Sequence, residues 1–185
     1  LGFTFLKTSG IMKKLILILF VCTMSSTLRA QEVTAENPDK NIGLGAGIDY
    51  GGFGGRFTYM PVQKFGLFVA AGYNLVGVGF NGGVTYKFNP TKKVTPTLGA
   101  MYGYNGVIKV EGGDEDSETY YGASFSFGVE VKTRGNSGNF WNFEILLPVR
   151  SSEFSDDIDR LKDIGYDVTE PLPIAFSVGY HFGMD

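Results

Sequence analysis

The feature that most constrains this chain is an apolar or aromatic residue at every second position, recurring in stretch after stretch. Period two means β-strands with one greasy face, because successive side chains point to opposite sides of a strand. The stripes run Ile42, Leu44, Ala46, Ile48, Tyr50; Phe57, Tyr59; Phe65, Leu67, Val69, Ala71, Tyr73; and Val76, Val78, Phe80, Gly82, Val84, Tyr86, Phe88. They continue as Val94 to Tyr104, Tyr121 to Val131, Trp141 to Val149, and finally Leu172, Ile174, Phe176, Val178, Tyr180, Phe182. None of these segments repeats at the helical period. The domain they predict is all-β and eight-stranded, over residues 41–185.

The connections alternate in kind. Odd-numbered gaps are Gly51–Gly55, Asn74-Leu75, a longer loop 105–118 and a long loop 151–170, whereas even-numbered gaps are short and basic: Pro61–Lys64, Asn89–Lys93 and Thr133–Asn139. Successive gaps of an up-and-down barrel lie at opposite ends. Long loops at one end and tight turns at the other are the pattern of a transmembrane β-barrel with an even strand number.

The residues between the stripes decide what the greasy face touches. In a soluble barrel the second face would meet water and carry Lys, Glu and Thr. Here it reads Gly43, Gly45, Gly47; Gly66, Ala70, Gly72; Gly99, Gly103; Gly122, Ser124, Ser126, Gly128. Glycine weakens a solvated strand, but small residues suit the narrow interior of an eight-stranded barrel. Aromatics also gather near strand ends on the apolar face, among them Tyr50, Tyr59, Tyr86, Phe88, Trp141, Tyr180 and Phe182. Such girdles mark the two interfaces of a membrane barrel. The pattern therefore predicts lipid outside and small residues inside.

The first 30 residues read as an upstream extension followed by an export signal. Met12 precedes Lys13-Lys14, an apolar run from Leu15 to Met24, and a polar stretch ending Leu28-Arg29-Ala30, which predicts cleavage after Ala30. Residues 31–40 would then be an N-terminal periplasmic segment. The single cysteine, Cys22, falls in the leader, so the exported chain has no disulfide chemistry. Loss of Lys7, Lys13, Lys14 and Arg29 takes the formal charge from −3 to −7, which argues against nucleic-acid binding.

With the stripes, connections and girdles in view, the chain resembles the small eight-stranded outer-membrane β-barrel family, of the OmpA transmembrane-domain or OmpX type. The resemblance covers nearly all of residues 41–182 and lies in pattern rather than in a unique motif. It implies residence in the outer membrane of a Gram-negative bacterium, contact with outer-membrane lipid, and no cofactor. The ending Phe176-x-Val178-x-Tyr180-x-Phe182 is similar to the signal that the family's insertion machinery reads, although Gly183-Met184-Asp185 follow it here.

Candidate functional residues fall in three groups. Asp49, Arg56, Lys87, Glu130, Lys132, Glu144 and Arg150 lie on the predicted lumen face. Buried charges persist only when paired. A two-residue turn at Gly52-Phe53 would set Asp49 opposite Arg56, and the expected bridge joins Arg56 to Asp49 or Glu144, with Lys87 and Glu130 beside it. Such pairs either plug the interior or gate a very narrow pore. The second group is acidic loop sequence: Asp114, Glu115 and Asp116 in loop 105–118, and loop 151–170, where Ser155 would cap a short helix whose apolar face carries Phe154, Ile158, Leu161 and Ile164. The simpler reading, narrowly favoured, is a solvated loop that packs its small helix on the barrel rim. The sharper one is a docking surface for an extracellular partner, or a weak divalent-cation site, for which Asp114-Glu115-Asp116 lacks the EF-hand spacing.

Third is His181, the lone histidine, with neither a second ligand for a metal pair nor a nearby serine. Gly77-x-Gly79-x-x-Gly82 fits a dinucleotide-binding pattern by letter, but a strand rather than a helix follows it. No metal site and no enzyme are expected. The leading expectation is a non-enzymatic outer-membrane barrel acting in envelope structure or surface interaction. The alternatives are a narrow gated channel and a soluble secreted barrel that binds an apolar ligand.

Overall fold

The computed structural model describes residues 38–108, 118–134, 138–166 and 172–184. The expected leader and cleavage site, and the acidic run Asp114-Glu115-Asp116, lie outside these residues. Eight strands follow one another: β1 Lys40–Gly47, β2 Gly52–Val62, β3 Phe65–Tyr73, β4 Val78–Lys87, β5 Val94–Ile108, β6 Glu118–Lys132, β7 Phe140–Pro148 and β8 Ala175–Met184. Each pairs antiparallel with its sequence neighbour, and β8 returns to pair with β1, so the sheet closes. Within the barrel wall, closure leaves no free sheet edge.

The register carries the apolar stripes onto one another. Val129 pairs with Phe143, Phe143 with Val178, and Val178 with Ala46, which makes a continuous outward row across four strands. Leu44, Val69, Tyr102, Phe125, Leu147 and Phe176 are each more than half exposed on the outside. Polar and charged side chains occupy the inside, where Asn41, Arg56, Thr85, Lys87, Thr97, Glu130, Asn142, Glu144 and His181 are all buried. That is the inverse of a water-soluble protein.

The first hairpin departs from expectation. The alternation of Ile48 and Tyr50 continues the β1 stripe in the sequence, yet β1 ends at Gly47, which pairs with Gly52. Residues Ile48–Tyr50 form a single 3-10 turn, folded into the barrel. Gly51 closes it at φ 73, a left-handed conformation that suits glycine. Tyr50 is therefore a fully buried lumen residue and not an interfacial aromatic. Asp49 meets Arg56 from this turn rather than as its cross-strand neighbour; Arg56 pairs with Gly43 instead.

Strands β5 and β6 are each 15 residues long and outrun the rest. Their pairing shifts between Tyr104 and Gly106, where the Asn105 amide bonds the Ala123 carbonyl at 2.8 Å and the Ser124 hydroxyl at 3.1 Å. Beyond this bulge the hairpin rises at the end of the barrel opposite the Lys40 and Met184 termini, hereafter the loop side. Helix α1, Ser152–Asp163, packs on it.

Candidate functional site: the filled lumen and its loop-side cap

The inward turn fits because the wall beside it is glycine. A Cβ on Gly45 would lie 2.7 Å from the Tyr50 ring, and one on Gly179 would run into the Tyr50 hydroxyl. The two glycines leave a slot, and the Tyr50 ring fills it. At its foot the hydroxyl bonds His181 Nε2 at 2.6 Å, and His181 Nδ1 lies 2.7 Å from Asn41 Oδ1. A carbonyl oxygen only accepts, so Nδ1 carries the proton and Nε2 accepts from Tyr50. The Phe140 ring stacks on the imidazole at 4.6 Å. His181 is thus fully engaged, 1% exposed, and has neither a serine nor a carboxylate as its hydrogen-bond partner.

Arg56 Nη1 lies 2.9 Å from Asp49 Oδ2 and 3.2 Å from Glu144 Oε1, and its guanidinium covers the Phe68 ring at 3.8 Å. Asn142 donates to the same Glu144 oxygen at 2.9 Å. Lys87 Nζ pairs with Glu130 at 2.7 Å and faces the Phe140 ring. Lys132 donates to the Pro90 carbonyl at 2.6 Å. Among the described residues, the buried cations Arg56, Lys87 and Lys132 thus match the buried carboxylates Asp49, Glu130 and Glu144 in number. A charge-matched, hydrogen-bonded interior is what a low-dielectric lumen requires.

An apolar layer completes the filling. Phe68, Met101 and Leu146 pack together, with Ile48 and Ala175 against them, and Asn81 holds the turn by donating to the Ile48 carbonyl at 2.6 Å. At the turn side, the space among Asn41, Met60, Lys87, Glu130 and Phe140 is about 20 Å³, room for a single water. Sequence reasoning picked out the charges but missed this apolar layer and the tyrosine. Arg150, expected inside, lies past the end of β7, where it donates to the Leu172 carbonyl at 3.0 Å and faces the Phe154 ring.

On the loop side, α1 begins one turn earlier than expected. Ser151, not Ser155, is its cap and accepts from the Phe154 amide at 3.3 Å. Phe154, Ile158 and Leu161 are buried against Ile108 and Tyr120. Ile164 does not share that face: it follows the helix and is 54% exposed. Tyr120 meets Phe154 edge-on at 4.9 Å, and its hydroxyl lies 2.7 Å from Asp157 and 2.8 Å from Glu118. The helix turns Glu153, Asp156, Asp159 and Asp163 outward.

No metal cluster exists among the described residues. Of the insertion-signal residues, Phe176, Val178 and Phe182 are exposed on the outside of β8, and Tyr180 lies edge-on to Trp141 at 5.0 Å.

No protein-family profile and no curated protein sequence matches this chain. Solved structures similar to it include the two that follow. One is the N-terminal β-barrel domain of Pseudomonas aeruginosa OprF, at 11% identity and a TM-score of 0.50, over 80% of this chain and 98% of that one. The other is Acinetobacter baumannii CarO2, at 14% identity and a TM-score of 0.41, over 79% and 98%. The likeness is one of fold: the chain has the closed eight-stranded up-and-down barrel of the OmpA-like type.

Proposed function

We propose that this chain is a non-enzymatic integral outer-membrane β-barrel with a closed lumen, serving envelope structure or surface interaction through its loop-side layer. The observation that carries the reading is the inversion of polarity: apolar side chains cover the outside, and every buried charge is enclosed within. An apolar exterior in water would aggregate, whereas in lipid a closed barrel satisfies all of its backbone groups. Strands β1–β8 would span the bilayer with the loop side outermost, and the Phe176–Phe182 stripe would meet the insertion machinery.

The filled lumen supports a structural role for Asp49, Arg56, Lys87, Glu130 and Glu144. The engaged, sealed His181 supports a non-enzymatic one. The outer face of α1 and the loops 105–118 and 151–170 remain the surface on which an extracellular partner would dock. Cell fractionation followed by carbonate extraction tests the reading: the protein is expected to stay with the outer-membrane pellet. Release into the wash would instead favour a soluble secreted barrel.

A further inference from the structure

The two ends of the barrel carry opposite charge. On the loop side, exposed carboxylates of α1 predominate. On the turn side, Lys40 opens β1, Lys64 lies in the β2–β3 turn, Lys92 and Lys93 in the β4–β5 turn, and Arg134 in the β6–β7 connection. All are exposed except the half-buried Lys93, and no ion pair among the described residues engages any of them. Asp39 is the one exposed carboxylate described at that rim. Every turn-side connection therefore presents at least one base, and together the bases encircle the barrel.

Their height is fixed by the neighbouring aromatics. Lys40 pairs with Tyr59, Lys64 adjoins Phe65, and Phe65 pairs with Tyr86. Phe88 packs edge-on to Tyr86, and Trp141 edge-on to Tyr180. These outward rings belong at the boundary between hydrocarbon and headgroups. Bases just beyond them sit among the headgroups, where a cation near an anionic surface is favoured and the attraction weakens with salt.

We propose that this rim is an interaction surface for the anionic headgroups of the phospholipid leaflet that surrounds the turn side. The inference rests on the membrane reading above. It goes further by giving the chain a lipid preference, and by giving its basic turns a role in holding the barrel at a set depth and orientation.

The test is the association of spin-labelled lipids with the full-length protein, reconstituted in phosphatidylcholine vesicles. The phosphatidylglycerol label is expected to associate about fivefold more strongly than the phosphatidylcholine label. The preference should collapse to near unity in molar salt and in a Lys64→Gln, Lys92→Gln, Lys93→Gln, Arg134→Gln variant. These turn residues take no part in the lumen, and strand content by circular dichroism checks that the variant folds. Asp156→Asn with Asp159→Asn, on the loop side, should leave the preference intact.

Equal association of both labels with the inserted wild-type protein overturns the proposal. So does a preference that survives the four turn substitutions. Binding of isolated peptidoglycan without lipid preference would overturn it in favour of an acidic-peptide partner. Failure to insert at all would instead refute the membrane reading, so the two failures are distinct.

Discussion

Replacing Arg56 by Met tests whether the lumen is held by its charges. Methionine keeps much of the length that packs over Phe68 but removes the cation shared by Asp49 and Glu144, both almost fully buried. Two carboxylates are then stranded in a dry interior. Breaking a single buried pair by removing one partner costs about 3–5 kcal/mol. Asn142 still donates to Glu144, so Glu144 keeps one bond while Asp49 loses its guanidinium bond. The expected loss lies at the upper part of that range. Adding Glu144→Gln should recover about half of it, because one of the two stranded charges disappears. Equilibrium urea unfolding of the vesicle-inserted protein, followed by the single tryptophan Trp141, measures both. A loss below about 1 kcal/mol, the scale of an exposed pair, would refute the reasoning and mean that water reaches the cluster.

Further outcomes follow from the same architecture. Gly179→Ala, which in an ordinary strand would gain about 0.5–1 kcal/mol, should instead lose about 1–3 kcal/mol by overpacking against Tyr50. Combining it with Tyr50→Leu should cost less than the sum of the two single changes, measured by the same unfolding. Phe143→Arg, outward in the apolar belt, should destabilise the inserted barrel by about 2–4 kcal/mol; a soluble barrel would tolerate that change, and fluorescence unfolding in vesicles separates the cases. Phe154→Ala should remove about 3–5 kcal/mol of packing from the loop-side cap alone, so limited proteolysis should cut near α1 while the barrel stays folded. Ser151→Ala should loosen the same helix by about 1 kcal/mol, seen as faster amide exchange at Phe154.

The barrel was legible because period two survives in every strand and because glycine crowds one face. What the sequence concealed was the turn at Ile48–Tyr50. Its letters continue the β1 alternation, and only the slot made by Gly45 and Gly179, far apart in sequence, gives Tyr50 a better place inside than out. The excess of lumen glycine was nevertheless a signal, since vacated volume inside a closed barrel must be filled. The Arg56 contacts to Asp49 and Glu144 could be expected from pairing rules, although Asp49 arrives from the folded-in turn. For α1, Ser155 with Asp156 and Asp157 made the stronger local cap. Ser151 won because starting there lets Phe154 reach Ile108 and Tyr120, a tertiary gain that no local pattern encodes.

The most direct test of the whole account is single-channel recording of the protein in a planar bilayer, with insertion verified on the same membrane. The filled, charge-matched lumen predicts an inserted barrel that passes no discrete current at moderate voltage. Reproducible steps that change on Glu144→Gln would contradict it, and would make the Arg56 cluster a gate rather than a plug.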